Sequence, residues 1–128
     1  MGLQYLIDSN AAIDYLSGKI PEKGMPFMNQ IINDIPNISV ITKIEILGYK
    51  TTPEAYQLLS GFVEDSVVLG LSDDIVEQTI VIRKENKIKT PDAIIAATAL
   101  VNELTIITRN IKDFNKIERL EVVNPYDM

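Results

Sequence analysis

Four short, uninterrupted apolar runs constrain the fold of this chain more than any other feature. They are "YLI" at residues 5–7, "SVI" at 39–41, "VVL" at 67–69 and "TII" at 105–107, and segments with helical periodicity separate them. A strand that is apolar at consecutive positions is covered on both faces, whereas a strand with one face in water alternates apolar and polar residues. The pattern therefore predicts a three-layer α/β/α sandwich with a central, mostly parallel sheet of four to five strands.

The length of 128 residues predicts a single domain over residues 1–128. No apolar run approaches the roughly 18 residues that a membrane-spanning helix needs, and the first residues lack the pattern of a signal peptide. We therefore expect a cytoplasmic protein that does not associate with a membrane.

The segments between the strands have recognisable helix ends. Ser72 is a predicted N-cap, and Pro53 follows Thr52 at the start of a helix that Gly61 interrupts. The segment "TPDAIIAATAL", residues 90–100, is a predicted buried helix whose one charge is Asp92. Residues 17–26 form the longest predicted irregular stretch, and "LEVVNP" is a predicted last strand.

Carboxylates recur where the predicted strands end or a helix begins. Asp8 directly follows the first run, Glu45 lies one helical turn after "NISVI", and Asp92 opens the apolar helix. Asp113 follows "TII" within a few residues, just after Asn110. In open α/β sheets, ligands bind beyond the carboxyl ends of the strands. We therefore expect these residues to meet in one acidic pocket at that edge.

Each carboxylate also has a structural explanation when it is taken alone. Asp8 can cap the helix that follows it, and Asp92 can be an acid behind an N1 proline, where the helix dipole favours it. The segment "TKIE" fits a capping box with Thr42 at the N-cap and Glu45 three residues later. Asp113 is typical of a solvated loop carboxylate.

Together, the carboxylates favour a metal site. Their burial beside one another is costly unless a cation compensates the charge. The chain has no histidine or cysteine, which excludes an imidazole base, a thiolate nucleophile and a Cys/His zinc site. Oxygen ligands indicate Mg²⁺ or Mn²⁺. Acids on predicted helix faces, such as Asp14, are interpreted as solvated and are assigned no chemistry.

Four segments, in this order, resemble the motifs of PIN domains, and specifically the short VapC-like toxins of type II toxin–antitoxin systems. They are "YLIDSNAAIDYL", "ISVITKIEILGY", "TPDAIIAATAL" and "TIITRNIKDF". The resemblance covers nearly the whole chain and implies a PIN-like α/β/α sandwich.

The resemblance also implies roles for residues. Asp8, Glu45, Asp92 and Asp113 form the implied catalytic set, and all of them except Glu45 are implied metal ligands. Many relatives carry an aspartate where this chain has Asn110, so the fourth acid is either Asp113 or is replaced by that amide. The implied supporting residues are Ser9, Asn10, Thr42, Thr108 and Asn110.

The implied activity is metal-dependent endoribonuclease cleavage. A Mg²⁺ or Mn²⁺ ion would lower the pKa of a bound water and neutralise charge on the scissile phosphate, and Glu45 would orient or deprotonate that water. In-line attack would leave a 5′-phosphate and a 3′-hydroxyl. Candidates to hold the RNA backbone, each of which has an equal claim to being a solvated surface side chain, are Lys43, Arg109 and Lys112, with Lys87 and Lys89 on the approach to the third acid.

The resemblance further implies two protein partners, a second copy in a homodimer and a cognate VapB-like antitoxin that places a basic side chain in the acidic site. The net charge of −6 complements a basic partner. The same charge disfavours non-specific binding of nucleic acid, although it leaves room for a local basic rim.

Other functions fit the residues less well. A PIN-like binding or scaffold module without catalysis has Asn110 as its support. A magnesium-dependent phosphatase would need a second aspartate two residues after Asp8, where Asn10 stands. A receiver domain would need an acidic pair at the first strand and an aspartate at the end of the third, which here ends in leucine.

Overall fold

The computed structural model describes residues 4–128. The sequence predicts a first strand over "LQYLID", and the first residue of that segment, Leu3, lies outside the described residues. The described strands are β1 Tyr5–Ile7, β2 Asn37–Ser39, β3 Val67–Leu69, β4 Thr105–Ile107 and β5 Val122–Val123. The helices are α1 Ser9–Leu16, α2 Met25–Asn33, α3 Val40–Leu47, α4 Pro53–Asp65, α5 Asp73–Glu85, α6 Thr90–Val101 and α7 Ile111–Phe114, with 3-10 turns at Glu22–Gly24 and Pro125–Asp127.

The five strands form one sheet in the order β3-β2-β1-β4-β5, and every neighbouring pair is parallel. β1 and β4 pair in register, with Ile7 beside Ile107. All carboxyl ends therefore lie at one edge of the sheet, with β1 at its centre. This confirms the predicted α/β/α architecture, and the sheet is wholly parallel rather than mostly so.

Helices cover both faces of the sheet. Leu6 and Ile106 face a core built with α5, α6 and α7, while Ile7 and Ile107 face a second core built with α1 to α4. All of these strand residues are fully buried. Their uninterrupted apolar sequence therefore follows from double coverage, as expected for a parallel sheet.

Helix α3 begins earlier than the sequence predicts. Val40 and Ile41 belong to this helix rather than to the strand, because the Ser39 hydroxyl accepts a hydrogen bond from the Ile41 N–H at 3.0 Å and caps it. The predicted capping box with Thr42 as N-cap is therefore wrong. Thr42 lies inside α3, fully buried, and its hydroxyl has no hydrogen-bond partner among residues 4–128.

Three other boundaries differ from expectation. Gly61 does not interrupt α4, which is continuous because its buried residues on either side, such as Leu59 and Phe62, hold it to the core. In α6 the first position is Thr90, so Pro91 is the second residue and Asp92 the third. The stretch predicted as irregular contains a 3-10 turn and the start of α2.

No helix within residues 4–128 combines the length and the apolar character needed to cross a lipid bilayer.

The hydroxyls of Ser39, the N-cap of α3, and of Thr42, inside that helix, should contribute differently to stability. Ser39→Ala should lower the free energy of unfolding by about 1 kcal/mol, because the Ile41 N–H loses its partner. Thr42→Val should leave stability unchanged or raise it, because it removes an unsatisfied buried hydroxyl at nearly constant volume. Urea unfolding of both variants measures this. A loss of stability in Thr42→Val together with unchanged stability in Ser39→Ala would show that Thr42 is the cap.

Candidate active site

Asp8 occupies the centre of the carboxyl edge of the sheet. It follows β1, is only 5% exposed, and caps α1 by accepting a hydrogen bond from the Ser9 N–H at 2.9 Å. The capping explanation considered from sequence is therefore correct, and it uses only the Oδ1 atom of this carboxylate. The Oδ2 atom faces the neighbouring strand.

Thr108 and Asn10 hold that second oxygen. The Thr108 hydroxyl donates to Asp8 Oδ2 at 2.8 Å, and the Asn10 side-chain amide donates to the same oxygen at 3.1 Å. Thr108 Oγ1 in turn accepts from the Asn110 N–H at 3.0 Å, and Asn10 Oδ1 accepts from the Arg109 N–H at 2.9 Å. The loops after β1 and β4 are thus locked together around one carboxylate.

Glu45 approaches the same place from α3. Its Oε1 accepts a hydrogen bond from the Ser9 hydroxyl at 2.7 Å, while the side chain as a whole stays exposed. Glu45 also raises the pKa of Asp8 by charge repulsion. The structure therefore brings these two predicted site residues together through Ser9, and this contact uses only the Oε1 atom of Glu45.

Asp92 and Asp113 meet in a cleft beside this centre. Asp92, in the first turn of α6, is half-buried, and its pKa is raised first by burial and then by repulsion from Asp113 and Glu45. Lys89 opposes that shift. Both aspartates line one cleft of about 450 Å³. The expectation that these acids share one edge of the sheet is consistent with this mutual repulsion.

The pKa of Asp8 is raised, and burial is the main cause. Its hydrogen bonds from Thr108 and Ser9 lower the pKa, and repulsion by Glu45 and Asp92 raises it. The net result is a carboxylate held in a fixed place at a cost in free energy. A positive charge placed here would remove that cost.

The residues fit a hard divalent cation by their donor chemistry, since all four carboxylates supply oxygen ligands. Within residues 4–128, however, no three acidic side chains stand close enough together to hold one ion. A bound cation would have to draw the exposed Glu45 or Asp113 side chain inward.

Asn110 and Asp113 play different parts in this structure. The Asn110 side chain makes no capping hydrogen bond to α7, and its backbone N–H is the group that contacts Thr108. Asp113 stands in the cleft with Asp92. Of the two candidates for the fourth acid, Asp113 is the one that interacts electrostatically with another site carboxylate.

Arg109 is held by residues that sequence analysis did not connect with it. Its guanidinium forms an ion pair with Asp14 at 3.1 Å and lies over the Tyr126 ring at 5.9 Å from the centroid. The Tyr126 hydroxyl also donates to Asp14, and its pKa is raised, first by burial and then by that carboxylate. The interpretation of Asp14 as a solvated helix-face acid is therefore wrong, because its charge is paired. No signal in the sequence links residues so far apart.

Two other predicted RNA contacts, Lys43 in α3 and Lys112 in α7, are exposed. Two cations that sequence analysis did not single out, Arg83 and Lys116, line the cleft that holds Asp92.

Comparisons with known proteins agree with the observed fold. A family model described as the PIN domain matches residues 5–120. A chain from a toxin–antitoxin complex of Klebsiella pneumoniae is 34% identical, with a TM-score of 0.76 over 98% of this chain and 100% of that chain. A chain of the DNA-bound VapBC from Salmonella typhimurium is 23% identical, with a TM-score of 0.80 over 97% and 99% of the two chains. A chain of FitAcB from Neisseria gonorrhoeae is 24% identical, with a TM-score of 0.79 over 98% and 100%. A search of the curated proteins finds no significant match.

The hydroxyl of Thr108 should stabilise the ionised form of Asp8. Thr108→Val removes a hydrogen bond to a charged group and should cost about 1.5–3 kcal/mol at neutral pH. Because this bond lowers the pKa of Asp8, its loss raises that pKa further. The penalty should therefore be largest where Asp8 is ionised and should shrink as acid protonates it. Thermal unfolding across pH measures the effect.

Thr108→Ser is the matched control, since it keeps the hydroxyl and should follow the wild type. A penalty for Thr108→Val that is the same at every pH would show that the loss is one of packing rather than of charge stabilisation.

Proposed function

Because this chain belongs to the PIN-domain family, we propose that it is a VapC-like toxin, a Mg²⁺- or Mn²⁺-dependent endoribonuclease that a cognate antitoxin holds inactive. Its cytoplasmic location and its RNA substrate are parts of the same proposal. The observation that carries it is the buried Asp8, whose pKa is raised by burial and by two further carboxylates.

A metal site explains why this arrangement persists. Carboxylates that repel one another destabilise a folded protein unless a bound cation compensates their charge. Asp8, Asp92 and Asp113 would hold the ion, and Ser9, Asn10 and Thr108 keep Asp8 in position. When bound, the divalent cation supplies Lewis acidity and positive charge beside the scissile phosphate.

Glu45 is the residue best placed to act as the general base. Its Oε1 is fixed by the Ser9 hydroxyl, so Oε2 remains for the proton of an attacking water. As the water oxygen bonds to phosphorus, its proton passes to Glu45 and the bond from phosphorus to the 3′-oxygen breaks. The leaving 3′-oxygen takes a proton from solvent, so that a 5′-phosphate and a 3′-hydroxyl result. No histidine is required for this reaction.

A related complex supports one of the two proposed protein partners, the antitoxin. The similar Klebsiella pneumoniae chain belongs to a toxin–antitoxin complex, and we propose an antitoxin partner for this chain as well, together with homodimer formation. The formal charge of −6 favours an antitoxin that presents a basic side chain to the acidic site.

A PIN-like binding module without catalysis is the second candidate. Two observations favour it: Asn110 replaces an acid common in the family, and within residues 4–128 no three acidic side chains are gathered as ligands of one ion. Metal binding distinguishes the two candidates, because the binding module has no need of it.

Metal binding should be visible in the thermal stability of the folded protein. Rising Mn²⁺ should raise the melting temperature of the wild type to a plateau, since a ligand that binds only the folded state stabilises it. Asp92→Asn should abolish this rise. Without metal it should melt above the wild type at neutral pH, because the raised pKa of Asp92 means that its ionised form destabilises the fold.

Asp65→Asn, at the exposed end of α4, is the control and should keep the full response to Mn²⁺. An unchanged melting temperature of the wild type throughout the titration would favour the non-catalytic module.

RNA cleavage should depend on the same carboxylate. Asp92→Asn should abolish cleavage of total RNA by the Mn²⁺-loaded protein while circular dichroism shows an intact fold. The reaction products, analysed by end labelling, should carry 5′-phosphates. Wild-type cleavage by Asp92→Asn would end the site assignment, and EDTA-resistant cleavage would end the metal dependence.

A further inference from the structure

A cationic cleft lies directly beside the carboxylate site. Its volume is about 450 Å³ and it opens between the α5–α6 corner and the segment after α7. Asp92 and Asp113 form its acidic side. Its remaining charged lining residues are all basic: Arg83, Lys87, Lys89 and Lys116.

This concentration of positive charge stands out in an acidic chain. The sequence has 12 basic and 18 acidic residues, and four of those cations share this one cleft. Within residues 4–128, none of the four forms an ion pair, since the single salt bridge found there joins Arg109 to Asp14. All four side chains are exposed. Their charges are therefore available to an anionic ligand.

A hydrogen bond from a side chain to the backbone holds two walls of the cleft together. The Lys116 ammonium donates a hydrogen bond to the Lys87 carbonyl, which ties the segment after α7 to the loop between α5 and α6. An ammonium has three N–H donors, so two remain for a ligand. Lys89 also stands close enough to Asp92 to lower its pKa. The cations and the site carboxylates are thus parts of one surface.

The geometry points to a phosphate-binding track: this cleft binds the phosphates of the RNA strand that flank the scissile phosphate, and so fixes the side of the site along which the substrate runs. This inference rests on the proposed ribonuclease function. The inferred track places the main contacts with the RNA backbone on the α5–α6 side of the site. Arg109, predicted from sequence to contact RNA, is instead engaged by Asp14 and Tyr126.

An RNA strand fits this surface better than an acidic protein segment does. The cleft runs into the carboxylates Asp92 and Asp113, which would repel an acidic peptide along its length. A strand of RNA needs both parts, because one phosphate must reach the carboxylate site while its neighbours need cations. Flexible lysine side chains contact phosphates as point charges without reading sequence.

The test is the salt dependence of RNA binding. All proteins carry Glu45→Gln, and EDTA is present, so that a labelled short single-stranded RNA stays intact. The cleft variant is Arg83→Gln with Lys87→Gln. The matched control is Lys19→Gln with Lys23→Gln, which removes two exposed charges between α1 and α2. Fluorescence anisotropy across a NaCl titration gives the slope of log K against log salt.

The cleft variant should bind more weakly than the control, and its slope should be shallower by about 1.4, because each lost phosphate contact on a single strand accounts for about 0.7. Unfolding temperatures should match, since the substituted side chains are exposed. Cleft and control variants with equal slopes would overturn the inference and leave the proposed function intact. Absence of RNA binding by the parent protein would also overturn the inference, whereas the Mn²⁺ titration and the cleavage assay test the proposed function separately.

A labelled oligoglutamate peptide distinguishes the other class of ligand. Weak binding of this peptide by parent and variants alike supports the RNA track. If the cleft substitutions abolish peptide binding but leave RNA binding unchanged, the cleft belongs to an acidic protein partner and the inference is wrong.

Discussion

The in-register pairing of β1 with β4 is the constraint on which the site depends. It sets Ile7 beside Ile107, so the next residues along, Asp8 and Thr108, come to hydrogen-bond distance at the edge of the sheet. The same register sends Leu6 and Ile106 into one core and their successors into the other. A slip of one residue would exchange these faces and separate the carboxylate from its donor. Fold and site are therefore specified by the same contacts.

The sequence predicted the elements that depend on local apolar patterning and missed those that depend on distant pairing. The uninterrupted apolar runs predicted the parallel sheet because a strand that is covered by helices on both faces is apolar at consecutive positions. The start of α3 was placed wrongly because Val40 and Ile41 are β-branched and favour a strand, and because "TKIE" matches a capping box although Ser39 is the residue that caps the helix. Nothing local could show that Tyr126 would meet Asp14 across 112 positions.

The site shows a conflict between stability and function. Burial and repulsion raise the pKa values of Asp8 and Asp92, so the fold disfavours the ionised form of both side chains. A neutral residue could stand at each of these two positions without the free-energy cost of a buried or repelled charge. Asp8 caps α1 as serine could, and the N-cap of α6, Lys89, makes no side-chain capping bond at all. Charges retained at such places are typical of functional sites.

The distribution of charge resolves the apparent mismatch between an acidic chain and the polyanionic substrate proposed for it. Long-range attraction does not favour RNA, because the net charge is negative. Local attraction does favour it, because four cations line the same cleft as Asp92 and charges this local are screened less by salt than distant ones. Such a protein would bind weakly along most of an RNA molecule. It would bind more tightly only where a single strand can enter the cleft and reach the carboxylates. Selectivity for accessible single-stranded segments would then follow from the charge pattern itself, without base-reading contacts.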